Sequence, residues 1–447
     1  MPFANPFPPA THADWLAQVQ KDLKDPNAYE TLRWPTPEGF TLEPYYTAEQ
    51  AGMPTASQPA QRTQPGWLNA PAYTVSDART DNATLRDALA NGADALTLHV
   101  PGPVRRTDSD GPPRGSDGTA ADLNLSLLLN GIKLSETPIF FTVEGDANAF
   151  VQALRQVAPY QLRGGLSSAP EHQLAVMQAT ADSPQFRTVT IDGAHYHNAG
   201  GTATQELAFT LAQLADTFDR LTDAGLAPDQ LAQKTVVQMA VGTSYFVEIA
   251  KLRALRMLLA RFSSAYSFLL PPSSFLLHVT TSPFHESTAT PYTNLLRATT
   301  EAMAAVIGGG DVLTVRPYDA VTGNTSAFSQ RIARNISVLL RDEGYMDKIA
   351  DPAAGSYYIE TLTGQLVDAA WALFLQVEAR GGLAKAAGYV QNELDTSYQA
   401  KVEAVQQGRV LVGVTKFRFD EEGQSNQTDT VSENHTGLSR RLAESFE

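Results

Sequence analysis

Apolar positions along the chain fall into two alternating patterns. Short runs rich in β-branched residues stand at Tyr73–Ser76, Ala95–Val100, Ile139–Glu144, Gln161–Leu166, Arg187–Asp192, Thr235–Val241, Phe275–Thr281 and Asp311–Arg316. Between and after them lie stretches whose apolar residues recur every three or four positions: Ala83–Ala90, Asp122–Asn130, Ala147–Val157, Ala169–Ala181, Thr204–Ala224, Tyr245–Ser264, Pro291–Ile307 and Phe328–Glu343. Period two predicts strands and period 3.6 predicts helices. Repeated strand–helix units build a parallel sheet covered on both faces, and eight of them predict closure into a (β/α)8 TIM barrel. The competing open, doubly wound sheet calls for a glycine-rich turn after its first strand. Here that turn reads DARTDNATL, without glycine.

The flanks differ from this body. Residues 1–64 read as an N-terminal arm: a helix at Trp15–Leu23 with Asp14 as its cap, then the proline-broken aromatic text YETLRWPTPEGFTLEPYY, then a polar spacer. The barrel is assigned to 65–349. A C-terminal, largely helical appendage follows at 350–419, with a strand at Ser356–Leu362, helices at Gln365–Ala379 and on to about Gln407, and an alternating strand at Val410–Phe417. Residues 420–447 are polar and read as a disordered or partner-wrapping tail. A long polar loop, Pro101–Ala120, follows the second strand, on the face where barrels build ligand sites.

Composition narrows the chemistry. The 447 residues contain no cysteine, which removes disulfides, thiolate zinc sites, iron–sulfur clusters and cysteine nucleophiles. The net charge of −15 argues against nucleic acid as a partner. No stretch suits a membrane span, and the N-terminal text lacks the basic and apolar regions of a secretory signal, so a cytoplasmic location is expected. No phosphate loop, zincin, EF-hand or nucleophile-elbow motif occurs. The pair His195 and His197 could approach a metal from one side of a strand, but no third ligand is nearby in sequence, so no metal is expected. Gly308–Gly310 suits a tight turn between a helix and a strand. One catalytic candidate remains. His195 follows the fifth strand, where a barrel presents acid–base groups, and a polar turn residue explains it equally well.

Longer stretches carry a resemblance. Thr190–Ala212, Tyr245–Phe262, Arg331–Thr363 and Ala370–Ala386, with the arm text KDLKDPNAYETLRWPTPEGFTLEPYYT, resemble the adenosylcobalamin-dependent acyl-CoA mutases, above all methylmalonyl-CoA mutase. The resemblance implies a barrel threaded by acyl-CoA and followed by a separate cobalamin domain. The D-x-H-x-x-G signature of that domain is absent, its nearest approach being Asp192-Gly-Ala-His195, and the text ends where the family's linker would.

The substrate positions depart from the family's pattern as well. His195 matches the family's histidine, but Ala194 stands at the tyrosine before it. Arg163–Ser168 lacks the expected Gln, and Leu166–Gln173 lacks the carboxylate-binding Arg. Ser282–Ala289 lacks an Arg and has Phe284 at a His position; the loop after strand two begins PGPVRR, and GWLNAPAYTVSDARTDN replaces the tyrosine-bearing text of strand one. Losing the partner of a buried carboxylate costs about 3–5 kcal/mol, enough to abolish useful binding. The chain is therefore similar to the non-catalytic small subunit of methylmalonyl-CoA mutase. The implied partner is the large subunit, which would hold the adenosylcobalamin and interconvert methylmalonyl-CoA and succinyl-CoA, while this chain binds no cofactor. The arm's aromatic residues are expected at least partly on that partner, and a homodimer is possible without it. Two alternatives stay open: a barrel chain of a split mutase, and a barrel that binds CoA or another metabolite.

Overall fold

The computed structural model describes residues 10–25, 27–51, 62, 64–102, 123–266, 271–323, 325–418 and 439–447. The arm forms a small antiparallel hairpin, β1 (Trp34–Pro35) with β2 (Thr41–Leu42). The body carries β3 (Leu68–Asn69), β4 (Ala72–Thr74), β5 (Leu96–Val100), β6 (Ile139–Val143), β7 (Gly164–Ser167), β8 (Phe186–Arg187), β9 (Val189–Asp192), β10 (Thr235–Val241), β11 (Leu276–Thr281) and β12 (Val312–Thr314). These pair as two five-stranded parallel sheets, β3-β12-β11-β10-β9 and β4-β5-β6-β7-β8. β4 to β8 and β9 to β12 each follow in sequential order, with β3 beside β12 and no reversal of the kind that defines a doubly wound sheet. The chain itself joins the two sheets, passing from β3 to β4 through Ala70–Pro71 and from β8 to β9 through Thr188. At the first junction Ala70 N donates to Leu313 O and Thr97 N to Pro71 O, and at the second Thr188 N donates to Lys234 O.

Each sheet has one face under helices and one face turned inward. Leu96, Leu98 and Val100 pack with Phe150, Val151 and Leu154 of the Ala147–Val157 helix. Leu277 and Val279 pack among residues of the Ala203–Asp223 and Tyr245–Ala265 helices. Alternate residues meet across the interior, where the rings of Phe140 on β6 and His278 on β11 lie 5.1 Å apart. Gly309, at φ +94°, makes the turn into β12, and only glycine takes that conformation without strain.

Local details correct four sequence readings. Asp14 does not cap the first helix. Thr11 caps His12–Leu23, and Asp14 returns the bond to the Thr11 backbone in a capping box. Ser356–Leu362 is not a strand: Ser356 caps one helix running Tyr357–Ala379, whose buried Ile359, Leu362, Thr363, Leu366 and Ala370 recur at helical spacing. The β-branched and aromatic text there has strand propensity, and packing against two long helices overrides it. Val410–Phe417 is a turn with a single bridge, Val412 to Lys416, since Gly413 and Phe417 both have positive φ. The chain's last residues also differ from the expected tail. Leu442 and Ala443 are buried against Phe284, Leu411 and Val414, and Leu442 N donates to Phe284 O. Residues 419–438 of that tail, and 103–120 of the polar loop, lie outside the described residues.

Buried charge fastens the C-terminal helices to the body. Arg253, 2% exposed, pairs with Asp351 and, at 2.7 Å, with Glu360, tying the segment before the Tyr357–Ala379 helix to the Tyr245–Ala265 helix. The arm is held in a similar way. Leu42 and Tyr46 enter the main core, and the Glu38 carboxylate accepts from Ala203 N (3.1 Å) and Thr204 N (2.7 Å) at the start of the Ala203–Asp223 helix. No helix among the described residues is long and apolar enough to cross a membrane.

Candidate functional site

The interior changes character along the strands. At the end where the strands begin, Ala70, Ala95, Phe140, Val236 and Val312 form a buried apolar cluster. Above it runs a polar layer: His278 Nε2 lies 2.8 Å from Thr314 Oγ1, and Thr314 Oγ1 lies 3.4 Å from Thr97 Oγ1. Nearer the strand ends His99, Thr142, Thr190, Gln238 and Thr280 are half-buried, and Asp192 keeps exposed surface. Asp192 is reached by solvent yet enclosed by protein, and that enclosure raises its pKa. His99 Nε2 sits 3.4 Å from Glu144 Oε1 at the same end. A polar, solvent-reached recess at the C-terminal ends of parallel strands is where such folds place ligands.

His195 lies at this end, as its position after the fifth strand requires. It is on a short helix, Ala194–Asn198, directly after β9, and its backbone N–H donates to Asp192 Oδ1 at 3.1 Å. The half-buried ring packs edge-on against Tyr196, with centroids 5.5 Å apart. The preceding side chain is the methyl group of Ala194, which supplies no hydroxyl.

The two histidines separate, because the segment Ala194–Asn198 is a short helix and not a strand that would turn both to one side. His197 is buried, and its Nδ1 lies 3.0 Å from Glu206 Oε2. Residues two apart on a helix point to different sides, so the pair does not converge on one metal. Among the described residues no three His, Asp or Glu side chains gather as metal ligands would.

The other departing positions have structural occupations. Arg163 precedes β7, at the end of the strands opposite the recess, and its guanidinium reaches Glu136 O. Phe284 is 1% exposed and lies at the centre of the cluster that receives the C-terminal residues. Arg316 follows β12 and does reach the recess end, but its Nε faces Glu286 Oε2 at 3.8 Å. Arg105 and Arg106, on the loop after the second predicted strand, lie outside the described residues.

A buried charge network beside the recess was missed in the sequence. Lys251, fully buried, donates to Glu206 Oε2 (2.6 Å) and Ala240 O (2.7 Å), with Glu248 Oε2 at 2.5 Å. Glu206 Oε1 accepts from Ala240 N at 3.1 Å, so this carboxylate joins β10 to two helices. Burial opposes both charges; the opposite charges outweigh it, raising the Lys251 pKa and lowering that of Glu206. The available signal was charged residues at interior positions of helices that are otherwise buried on nearly all sides.

The methylmalonyl-CoA mutase family model matches residues 167–445, which takes in β8 to β12, His195 and the C-terminal helices. The chain belongs to the methylmalonyl-CoA mutase family. It is 32% identical to the methylmalonyl-CoA mutase small subunit of Porphyromonas gingivalis, over 92% of this chain and 70% of that protein. It is 31% identical to the small subunit from Streptomyces virginiae, over 92% and 71%. The methylmalonyl-CoA mutase of Cereibacter sphaeroides is 30% identical over 91% of this chain, which spans 64% of that protein. Among solved structures, dihydropteroate synthase from Anaplasma phagocytophilum overlaps at 12% identity and a TM-score of 0.35, covering 61% of this chain and 99% of that one. That likeness is too slight to inform the site.

Proposed function

We propose that this chain is the small, non-catalytic subunit of a cytoplasmic methylmalonyl-CoA mutase complex, and that it stabilises a large subunit which interconverts methylmalonyl-CoA and succinyl-CoA. The observation that carries this reading is the recess itself. Among the described residues His195 stands there beside Ala194, and Arg316 faces Glu286. A thioester substrate with a free carboxylate needs a charge partner on desolvation, and the Glu286 carboxylate offsets the charge of Arg316. The small-subunit names of the relatives from Porphyromonas gingivalis and Streptomyces virginiae support a heterodimer.

The reading includes a single closed eight-unit barrel, supported by the pairing of β12 with β3 and by contacts that cross between the two sheets. Adenosylcobalamin is assigned to the partner, because the residues present here do not fit it. There is no D-x-H-x-x-G sequence. His99, His172, His197 and His278 are engaged by Glu144, Asn148, Glu206 and Thr314, and neither His195 nor His285 stands in that sequence context. Residues 357–406 form two helices on the outer layer.

The test is an activity assay with and without the partner. The purified chain should neither take up adenosylcobalamin by absorption spectroscopy nor turn over methylmalonyl-CoA, and it should raise the thermal stability of a co-expressed large subunit. Turnover by this chain with added adenosylcobalamin overturns the proposal.

A further inference from the structure

A cavity of about 380 Å3 lies between the arm, the loops after β9, β10 and β11, and the Leu383–Gln406 helix. Its volume is in the range of small-molecule sites. Trp34, Pro35 and Pro37 of the arm, with Val247 and Phe284 of the body, give it apolar walls. Of its two carboxylates, Glu38 is engaged by the amides of Ala203 and Thr204, and Glu248 by Lys251. The remaining ionisable groups are cationic or basic. Lys401 Nζ donates to Gly200 O (2.8 Å) and Gly201 O (2.7 Å), which leaves one N–H unspent, and it sits 5.1 Å from the centre of the Phe284 ring. The Arg409 guanidinium lines the same space, exposed and without a side-chain partner among the described residues. The Nδ1 atom of His285 is buried with no hydrogen-bond partner. Burial first, and then the positive charges of Lys401, Arg409 and Arg297, push its pKa well down, so this corner of the cavity is electropositive.

We propose that the cavity binds a small organic carboxylate, its head held by Lys401, Arg409 and His285 and its apolar body lying against Trp34 and Phe284. The site is independent of the subunit role proposed above. A carboxylate suits it better than a phosphate, because the helix N-terminal amides that would cradle a phosphate are occupied by Glu38. Two cations and one neutral imidazole donor supply what a two-oxygen head accepts.

Isothermal titration of the full chain with phenylacetate, acetate and inorganic phosphate tests this. Phenylacetate should saturate one site, acetate should compete for it more weakly, and phosphate should bind more weakly than phenylacetate. Arg409→Gln and Lys401→Met should each lower affinity for both carboxylates about tenfold, the loss expected for a charge-assisted bond. Trp34→Ala should weaken phenylacetate and leave acetate unchanged. Lys401→Met also removes two internal hydrogen bonds and could unfold the chain, whereas Arg409→Gln breaks none and keeps the test decisive. Absence of saturable phenylacetate binding at millimolar concentration, or undiminished affinity in Arg409→Gln, overturns the site. Tighter binding of phosphate overturns the ligand class.

Discussion

Replacing Lys251 with methionine isolates the energetics of the buried network. The side chain is fully buried and faces Glu206 Oε2, Glu248 Oε2 and Ala240 O within 2.7 Å. Methionine fills nearly the same volume, so packing loss is small and the change is essentially electrostatic. It leaves Glu206 fully buried with only His197 and Ala240 N as partners, beside a second carboxylate, Glu248. Breaking a buried pair by removing one partner costs about 3–5 kcal/mol. Urea denaturation followed by far-UV circular dichroism measures this as a drop in midpoint at unchanged slope. The double variant Lys251→Met with Glu206→Gln should be less destabilised than the two single losses added together, because the second change removes the orphaned charge. A Lys251→Met chain within about 0.5 kcal/mol of the parent, a range typical of surface changes, would refute the reasoning.

Three further outcomes follow from the geometry. Burial lowers the His278 pKa from the ordinary 6.5 to about 4, so its contribution is complete above 6.5 and falls away as pH drops through that window. The loss is on the order of 3 kcal/mol near pH 4, and His278→Leu should flatten this part of the stability curve in guanidinium melts. Burial first, then the carboxylates of Glu286 and Glu248, hold the Glu301 pKa well above its usual value. Its stabilising proton is fully retained below the ordinary carboxylate pKa and is lost as pH rises through the folded value. Glu301→Gln should therefore gain on the parent as pH rises, and parallel curves would contradict this. On the arm, Leu32 and Tyr45 are 42% and 48% exposed, so serine at both should leave the melting temperature near that of the parent while weakening capture of the large subunit in a pull-down. Full-strength capture would assign the arm to this chain alone.

What the sequence made legible depended on how local the cause was. β10 matches its expected span because TVVQMAV is an apolar, β-branched run buried along almost its whole length. The Ala147–Val157 and Pro291–Ile307 helices match theirs because the start signals, the Asp146 cap and Pro291 in the first turn, are written in the text. The segment from Ser356 misled because its propensity and its packing disagree, and only the neighbouring helices decide between them. Residues separated by 9 and 45 positions build the network on Glu206, and periodicity carries no information on such pairings. For the site, His195 was placed at the correct end of the strands, but its separation from His197 depended on a helical turn that five residues of text did not announce.

The network and the recess differ in what a substitution costs. Ala194 and His195 are half-buried, beside a recess that solvent reaches, so a polar group lost there leaves its neighbours to water. Each such change costs little, and the site positions can depart from a catalytic pattern one at a time. Lys251, Glu206 and Arg253 have no such freedom. Each is buried, and each satisfies partners on other elements: β10 for the first two, and the segment leading into the C-terminal helices for Arg253. Removing any one strands a buried charge at a cost comparable to a large fraction of a domain's net stability. The same frame fastens the arm at Glu38 and packs Leu442 beside Phe284. Folding alone therefore suffices to hold the buried charges in place, and it places no such constraint on the half-buried Ala194.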